Sequence, residues 1–307
     1  MRFSRKTGFT LVELLVVMSI IGIIAAALIS QVTRGSEMAR ASKCKANLKN
    51  LAQAAMSYAV DTKRMPNAGS HEFMNVAMSN GRYKKMYFLE QGWVAWTGSS
   101  RWPNETVQGG SMTTAKFFGE TAYSSITNGT LWPYIGKNIS SYVCDKHKGL
   151  AQRAGLTKVQ RSYVLNGYFG YDYMGRSTPL DCWIGLDSVT ARGSAANLLL
   201  FAELLAYKGN HATGIDTSEY AADGVLETDI RTSDDPDSTT YRGKTADERI
   251  GFNHMVGKRY VAHVVFVDGH VDALLEPKGA SDSDIKKLTY ELCNGDELDQ
   301  DLRSKLR

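Results

Sequence analysis

The chain has 307 residues, 43% of them hydrophobic and 10% aromatic, which is enough for a real core in one large domain or two ordinary ones. Its formal net charge is +4, but Arg2, Arg5 and Lys6 supply three of those charges, so the rest is close to neutral. This excludes a basic body of the kind that grips nucleic acid, and no nucleic-acid partner is expected.

The basic residues precede an apolar run from Phe9 to Ile29. As a helix, these 21 residues span about 31 Å, which matches the hydrocarbon thickness of a bilayer. The run reads as a single transmembrane helix, and the positive charges before it keep the N-terminus cytoplasmic. The competing reading is a cleaved export signal with Ala25-Ala26-Ala27 as the cut site, but the run is longer than the apolar core of such signals. Glu13 interrupts it. A carboxylate near the centre of a membrane helix costs roughly 2.5–3.5 kcal/mol, so this one needs either a partner or a route to the headgroups.

Beyond the run the helical pattern continues. Cys44, Leu48, Leu51, Ala55 and Tyr58 recur at intervals of four and three and paint one face of a helix, with Lys43, Lys45, Lys49, Gln53 and Ser57 on its polar side. Pro66 and the Asn67-Ala68-Gly69 after it mark a boundary. One helix from Phe9 to about Lys63 is expected, about 82 Å long, with Gly35 as the place where it could bend.

The remainder reads as α+β with a predominantly antiparallel sheet. Strands are expected at Ser141–Cys144, Arg161–Leu165 and Asn197–Glu203. Val264–Val267, Asp268-Gly269 and His270–Leu274 form a hairpin signal, and Asp-Gly predicts a type I′ turn with positive φ at both central residues. Residues 97–130 and 208–250 read as long loops. Ser281-Asp-Ser-Asp284 has the spacing of a capping box ahead of a C-terminal helix carrying Ile285, Leu288 and Leu292.

The start MRFSRKTG-FTLVELLVV is a short basic leader, then Gly8, Phe9, Thr-Leu, one apolar residue and Glu13. It resembles the N-terminus of type IV prepilins and of the pseudopilins of type II secretion systems. The resemblance implies that a prepilin peptidase/methyltransferase cuts between Gly8 and Phe9 on the cytoplasmic face and methylates Phe9. It also implies that Glu13 takes the family's acidic position, reaching the Phe9 amine of a neighbouring copy so that the charge finds its counterion on assembly. Many relatives carry proline near the end of the apolar run; here Ser30 stands in that region.

The implied organisation is a leader at 1–8, a transmembrane and assembly segment at 9–30, an amphipathic extension of the same helix at 31–64, and an exported pilin-like α+β head at 65–307. The implied function is a structural subunit of a type II secretion pseudopilus; the alternative is a type IV pilus subunit for adhesion, motility or DNA uptake. Expected partners are copies of itself or other pilin-like subunits and the inner-membrane assembly platform. The location would be the inner membrane, with the head periplasmic or extracellular, then a filament.

A second resemblance lies in the body. A subgroup of pseudopilin-like proteins has a stem-helix Cys, a mid-chain strand-Cys motif, and a late His followed by a spacer and Phe-x-Asp-Gly-His-Val. Cys44, Tyr142-Val-Cys144, and His254 with Phe266, Asp268, Gly269 and His270 match these pieces. The spacer here is longer than the family's, with thirteen residues between His254 and Asp268.

The four cysteines can pair in three ways. Cys44–Cys144 is favoured because it would staple the stem helix to the sheet, worth about 4.7 kcal/mol in the chain-entropy model for a loop of about a hundred residues. Cys182–Cys293 follows by default, and buried thiols are the alternative. His254, His263, Asp268 and His270, with Cys144 and His147 as a half-site, are considered for a metal-dependent enzyme. No second Cys-rich half and no G-x-S-x-G nucleophile motif accompany them, so no catalytic residue is assigned and no enzyme is expected. Calcium is the one ion considered as a cofactor, on Asp234, Asp235 and Asp237, although their spacing is not that of an EF-hand. Trp93, Trp96 and Trp102 suit core packing better than a glycan or partner site.

Overall fold

The computed structural model describes residues 10–68, 71–77, 83–90, 92–94, 120–153, 159, 161–167, 169, 194–204, 225–226 and 250–295. The chain divides into two compact units, Met1–Arg40 and Ala41–Arg307. Helix α1, Leu11–Thr62, supplies the described residues of the first unit and the opening helix of the second. Gly22 and Gly35 both lie within it without ending it. It ends at Thr62, followed by Lys63 in the left-handed conformation (φ 62°) and then Pro66, as the boundary signal predicts.

In the first unit, Leu11–Ile29 forms a 19-residue apolar span long enough to cross a membrane, with its side chains unburied. That is consistent with a single-pass membrane anchor. In the second unit, the face of α1 read from the sequence goes inward: Cys44, Leu48, Leu51 and Ala55 are buried, with Tyr58 packed against the same cluster.

The sheet of the second unit has the strand order β5-β3-β4-β7-β6, with β8 also paired to β7. Its strands are β3 (Tyr163–Asn166), β4 (Leu199–Glu203), β5 (Val225–Leu226), β6 (His254–Val256), β7 (Arg259–Phe266) and β8 (Val271–Leu275). Only β3–β5 is parallel, so the expected antiparallel α+β, pilin-like arrangement is present. β4 is buried along its whole length because both faces of the sheet are covered. Tyr163, Leu165, Phe201 and Val265 pack with α1 in one cluster. Val164, Ala202, Val264 and Phe266 pack in a second with Leu288 and Leu292 of the C-terminal helix.

That helix, Asp282–Asn294, is called α4 here; α2 (Glu120–Thr127) and α3 (Asp145–Arg153) precede it. Ser281 and Asp284 form the reciprocal capping box predicted from the sequence, and Gly295 closes the helix in the left-handed conformation. β1 (His71–Ala77) and β2 (Tyr83–Glu90) make a separate antiparallel pair in a region where the sequence reading names no element.

Three expectations are corrected. Ser141–Cys144 is not a strand: Ile139–Tyr142 is a 3-10 turn, because the Asn138 side chain accepts the Ser140 N–H and caps it. Residues 120–127 are helical rather than loop. The β7–β8 turn is not type I′: Gly269 has positive φ (85°) but Asp268 does not. The Gly269 N–H donates to the Phe266 carbonyl and the Phe266 N–H to the His270 carbonyl. This leaves a three-residue loop with glycine in the left-handed position, the second commonest way to close a hairpin.

Candidate functional site

At the head of α1, Thr10 and Glu13 cap each other. The Glu13 carboxylate accepts from the Thr10 backbone N–H at 2.9 Å and from its hydroxyl at 2.8 Å. The Glu13 N–H in turn donates to the Thr10 hydroxyl at 3.3 Å. This is a capping box of the same Thr/Ser-x-x-acid form as Ser281–Asp284, and it satisfies donors that the first helical turn leaves open. Glu13 therefore has hydrogen-bond partners within one chain, which satisfy its oxygens without supplying a counterion for its charge. The spacing that reveals it, Thr-Leu-Val-Glu, is plain in the sequence but is hidden by reading Glu13 only as an intruder in an apolar run. Gly8 and Phe9 lie outside the described residues.

The body holds a second constellation. Cys44 comes from α1, Cys144 from the segment joining the 3-10 turn to α3, Glu203 from the end of β4, and His254 from the start of β6. All four are at most 1% exposed, and one donor atom from each lies within 4.8 Å of all the others. The Cys44 thiol donates to Glu203 Oε1 at 2.6 Å, and Cys144 Sγ is 3.3 Å from His254 Nε2. His254 Nε2 is 2.9 Å from the same carboxylate oxygen.

Neighbours hold these groups in place. The His263 N–H donates to Glu203 Oε2 at 3.1 Å, and the Tyr163 hydroxyl lies 3.1 Å from Cys44 Sγ. Asn47 Nδ2 donates to the carbonyls of Ser140 and Val143 at 3.1 and 3.0 Å, tying α1 to the segment that carries Cys144. His254 Nδ1 is buried with no hydrogen-bond partner among the described residues.

The electrostatics follow from shared burial. Burial would raise the Glu203 carboxyl, but the charge and hydrogen bond of His254, with help from His263, hold it well below the usual carboxylate range. Burial would lower His254, yet the facing Glu203 charge lifts it to about 10. Burial pushes the Cys44 thiol well up. It would do the same to Cys144, but hydrogen bonds to Cys44 and His254 outweigh it and bring that thiol to about 7. A carboxylate and an imidazolium thus offset each other beside two sulfurs.

Several sequence expectations can now be placed. Cys44 and Cys144 are brought together as thiols in this structure. Cys293 is buried in the second core cluster, while Cys182 lies outside the described residues. His147, the other half of the supposed Cys144 half-site, turns instead to the Ser162 hydroxyl at 2.9 Å. His263 and His270 do not face each other, since the register pairs His263 with Ala273. The late motif is therefore split: His254 enters the buried cluster, whereas Asp268 and His270 meet each other at 2.6 Å on the exposed turn, where the His270 ring also stacks on Phe266 at 4.4 Å. Trp93 is core, stacked on Tyr142 and edge-on to Phe201. Trp96, Trp102, Asp234, Asp235 and Asp237 lie outside the described residues. Glu203 is the member the sequence reading missed; a single acidic residue ending an otherwise apolar strand was its only signal.

With this geometry in view, residues 3–29 match the family model of the prokaryotic N-terminal methylation motif. The chain thus carries a prepilin-type N-terminus, which supports a type IV pilin or pseudopilin precursor. Such a motif indicates a structural pilin subunit, implying processing by prepilin peptidase and assembly with pilin-like subunits. Among the curated proteins and the solved structures, none matches the chain.

Proposed function

We propose that this chain is the precursor of a type II secretion pseudopilus subunit, cut between Gly8 and Phe9, methylated on Phe9 and assembled through its N-terminal helix. The observation that carries this reading is the prepilin-type segment at residues 3–29, with Glu13 at the head of a 19-residue apolar span. In the precursor and in the membrane-bound monomer, Thr10 partners the Glu13 carboxylate and lowers the cost of holding it there. After cleavage the new Phe9 amine lies about one turn before Glu13, where the low dielectric magnifies any attraction to a carboxylate on an adjacent helix. Assembly then amounts to an exchange of partners: the carboxylate gives up Thr10 for the amine of the next subunit. The work of extension belongs to a motor elsewhere, and the head of this chain supplies the subunit's outer surface.

Deleting the gene from its native host tests this. The expected result is that exported proteins accumulate in the periplasm while surface filaments persist. Loss of surface filaments with secretion intact would instead make the chain a type IV pilus subunit.

A further inference from the structure

The buried cluster of Cys44, Cys144, Glu203 and His254 is unusual core material. Two sulfurs, an imidazole nitrogen and a carboxylate oxygen converge from four separate segments, all buried and within 4.8 Å of one another. Glu203 and His254 pair at 2.9 Å, which offsets the cost of burying them, and both meet the two sulfurs at the same point. A disulfide between the two cysteines would leave that convergence unused. Cys44 donates its S–H to Glu203 Oε1 at 2.6 Å, and oxidation would replace that donor with a bare sulfur facing a carboxylate.

We propose that these four side chains bind one zinc ion in a closed, four-coordinate structural site. Thiolate and imidazole ligands favour zinc over calcium or magnesium, and four protein ligands leave no open position for substrate. Zinc bonds of about 2.0–2.3 Å in a tetrahedron separate the ligand atoms by about 3.3–3.8 Å. The three hydrogen-bonded contacts here are 2.6, 2.9 and 3.3 Å and would open by about an ångström or less, while every pair of donors already lies within 4.8 Å. The surrounding shell is already in place. The His263 N–H holds the far oxygen of Glu203, the Tyr163 hydroxyl stands beside Cys44 Sγ, and Asn47 fixes the segment bearing Cys144. The ion would tie α1 to two strands of the sheet, joining residues as far apart in sequence as Cys44 and His254. Zinc occupancy is separate from filament entry, so either can hold without the other.

The test uses full-length protein, extracted in detergent without chelator and analysed for metals by mass spectrometry. About one zinc per chain is expected, falling at least about tenfold in Cys44→Ser and His254→Ala. Because those variants can fail to fold, wild-type protein is also stripped of metal and titrated with cobalt(II). The expected product shows the visible bands of tetrahedral cobalt and a near-ultraviolet thiolate charge-transfer band, both displaced by zinc. Substoichiometric zinc together with a cobalt titration lacking that band would overturn the site, whether peptide mapping then finds a Cys44–Cys144 disulfide or two thiols.

Discussion

Glu13 accepts two hydrogen bonds from Thr10, one from its backbone N–H and one from its hydroxyl, and so caps the helix that would otherwise present a bare carboxylate to lipid. Thr10→Val deletes the hydroxyl, and with it the bond it donates to the carboxylate and the one it accepts from the Glu13 N–H. The first turn of α1 is expected to lose about 1 kcal/mol, seen as faster amide exchange at its opening residues in detergent. Glu13→Gln is expected to reach the membrane fraction normally but to be depleted from filaments. Normal incorporation of the Gln variant would contradict the assembly role.

His147 is wholly buried on α3, and burial pushes it down to about 4. In the unfolded chain a histidine titrates near 6.5, so on acidification the unfolded state takes up the proton first. The stability gained by keeping His147 neutral is present above pH 6.5 and is lost as pH falls from there toward 4, on the order of 3 kcal/mol at most. His147→Gln should flatten the stability profile in that window, measured by denaturant unfolding at several pH values. Parallel profiles for variant and wild type would remove His147 as the cause.

Gly129 lies where a Cβ would collide with the Trp93 carbonyl oxygen and stand 2.8 Å from Val94 Cα, both backbone atoms that cannot move aside cheaply. Gly149, inside α3, would present its Cβ to open space. Gly129→Ala is therefore expected to destabilise by several kcal/mol through displacement of the Trp93 segment. Gly149→Ala should stabilise by up to about 1 kcal/mol. Thermal melts of the pair check both signs at once.

Gly269 closes the β7–β8 hairpin with φ 85°, in a conformation that costs an L-residue roughly 1–2 kcal/mol. Gly269→Ala should lower stability by about that amount, while Asp268→Ala should lower it less, by removing the exposed carboxylate contacts to the His270 ring and backbone N–H. Equal losses in the two variants would mean that the side-chain pair, and not the backbone, holds the turn.

How much of this was legible beforehand varied with the kind of signal. The stem helix, β4, the hairpin and the C-terminal helix were readable because local rules of spacing and capping agree with where each element packs, while Asp-Gly located the β7–β8 turn but not its type. Ser141–Cys144 misled because Tyr and Val favour strands, whereas Asn138 hydrogen-bonds the following backbone into a 3-10 turn. The buried cluster was only half visible. Cys44, Cys144 and His254 stood out as residue types, but Glu203 joins them through strand pairing and helix packing that no local pattern encodes. The same limit hid the separation of His254 from Asp268 and His270, which are close in sequence yet face the core and the surface respectively.

The most direct measurement of the central claim is the intact mass of this protein taken from membranes of cells with and without prepilin peptidase. The account predicts that with the enzyme the chain begins at Phe9, lighter by residues 1–8 and heavier by one methyl group, and that Gly8→Leu abolishes this change. Recovery of the unprocessed chain in the presence of active peptidase would contradict it.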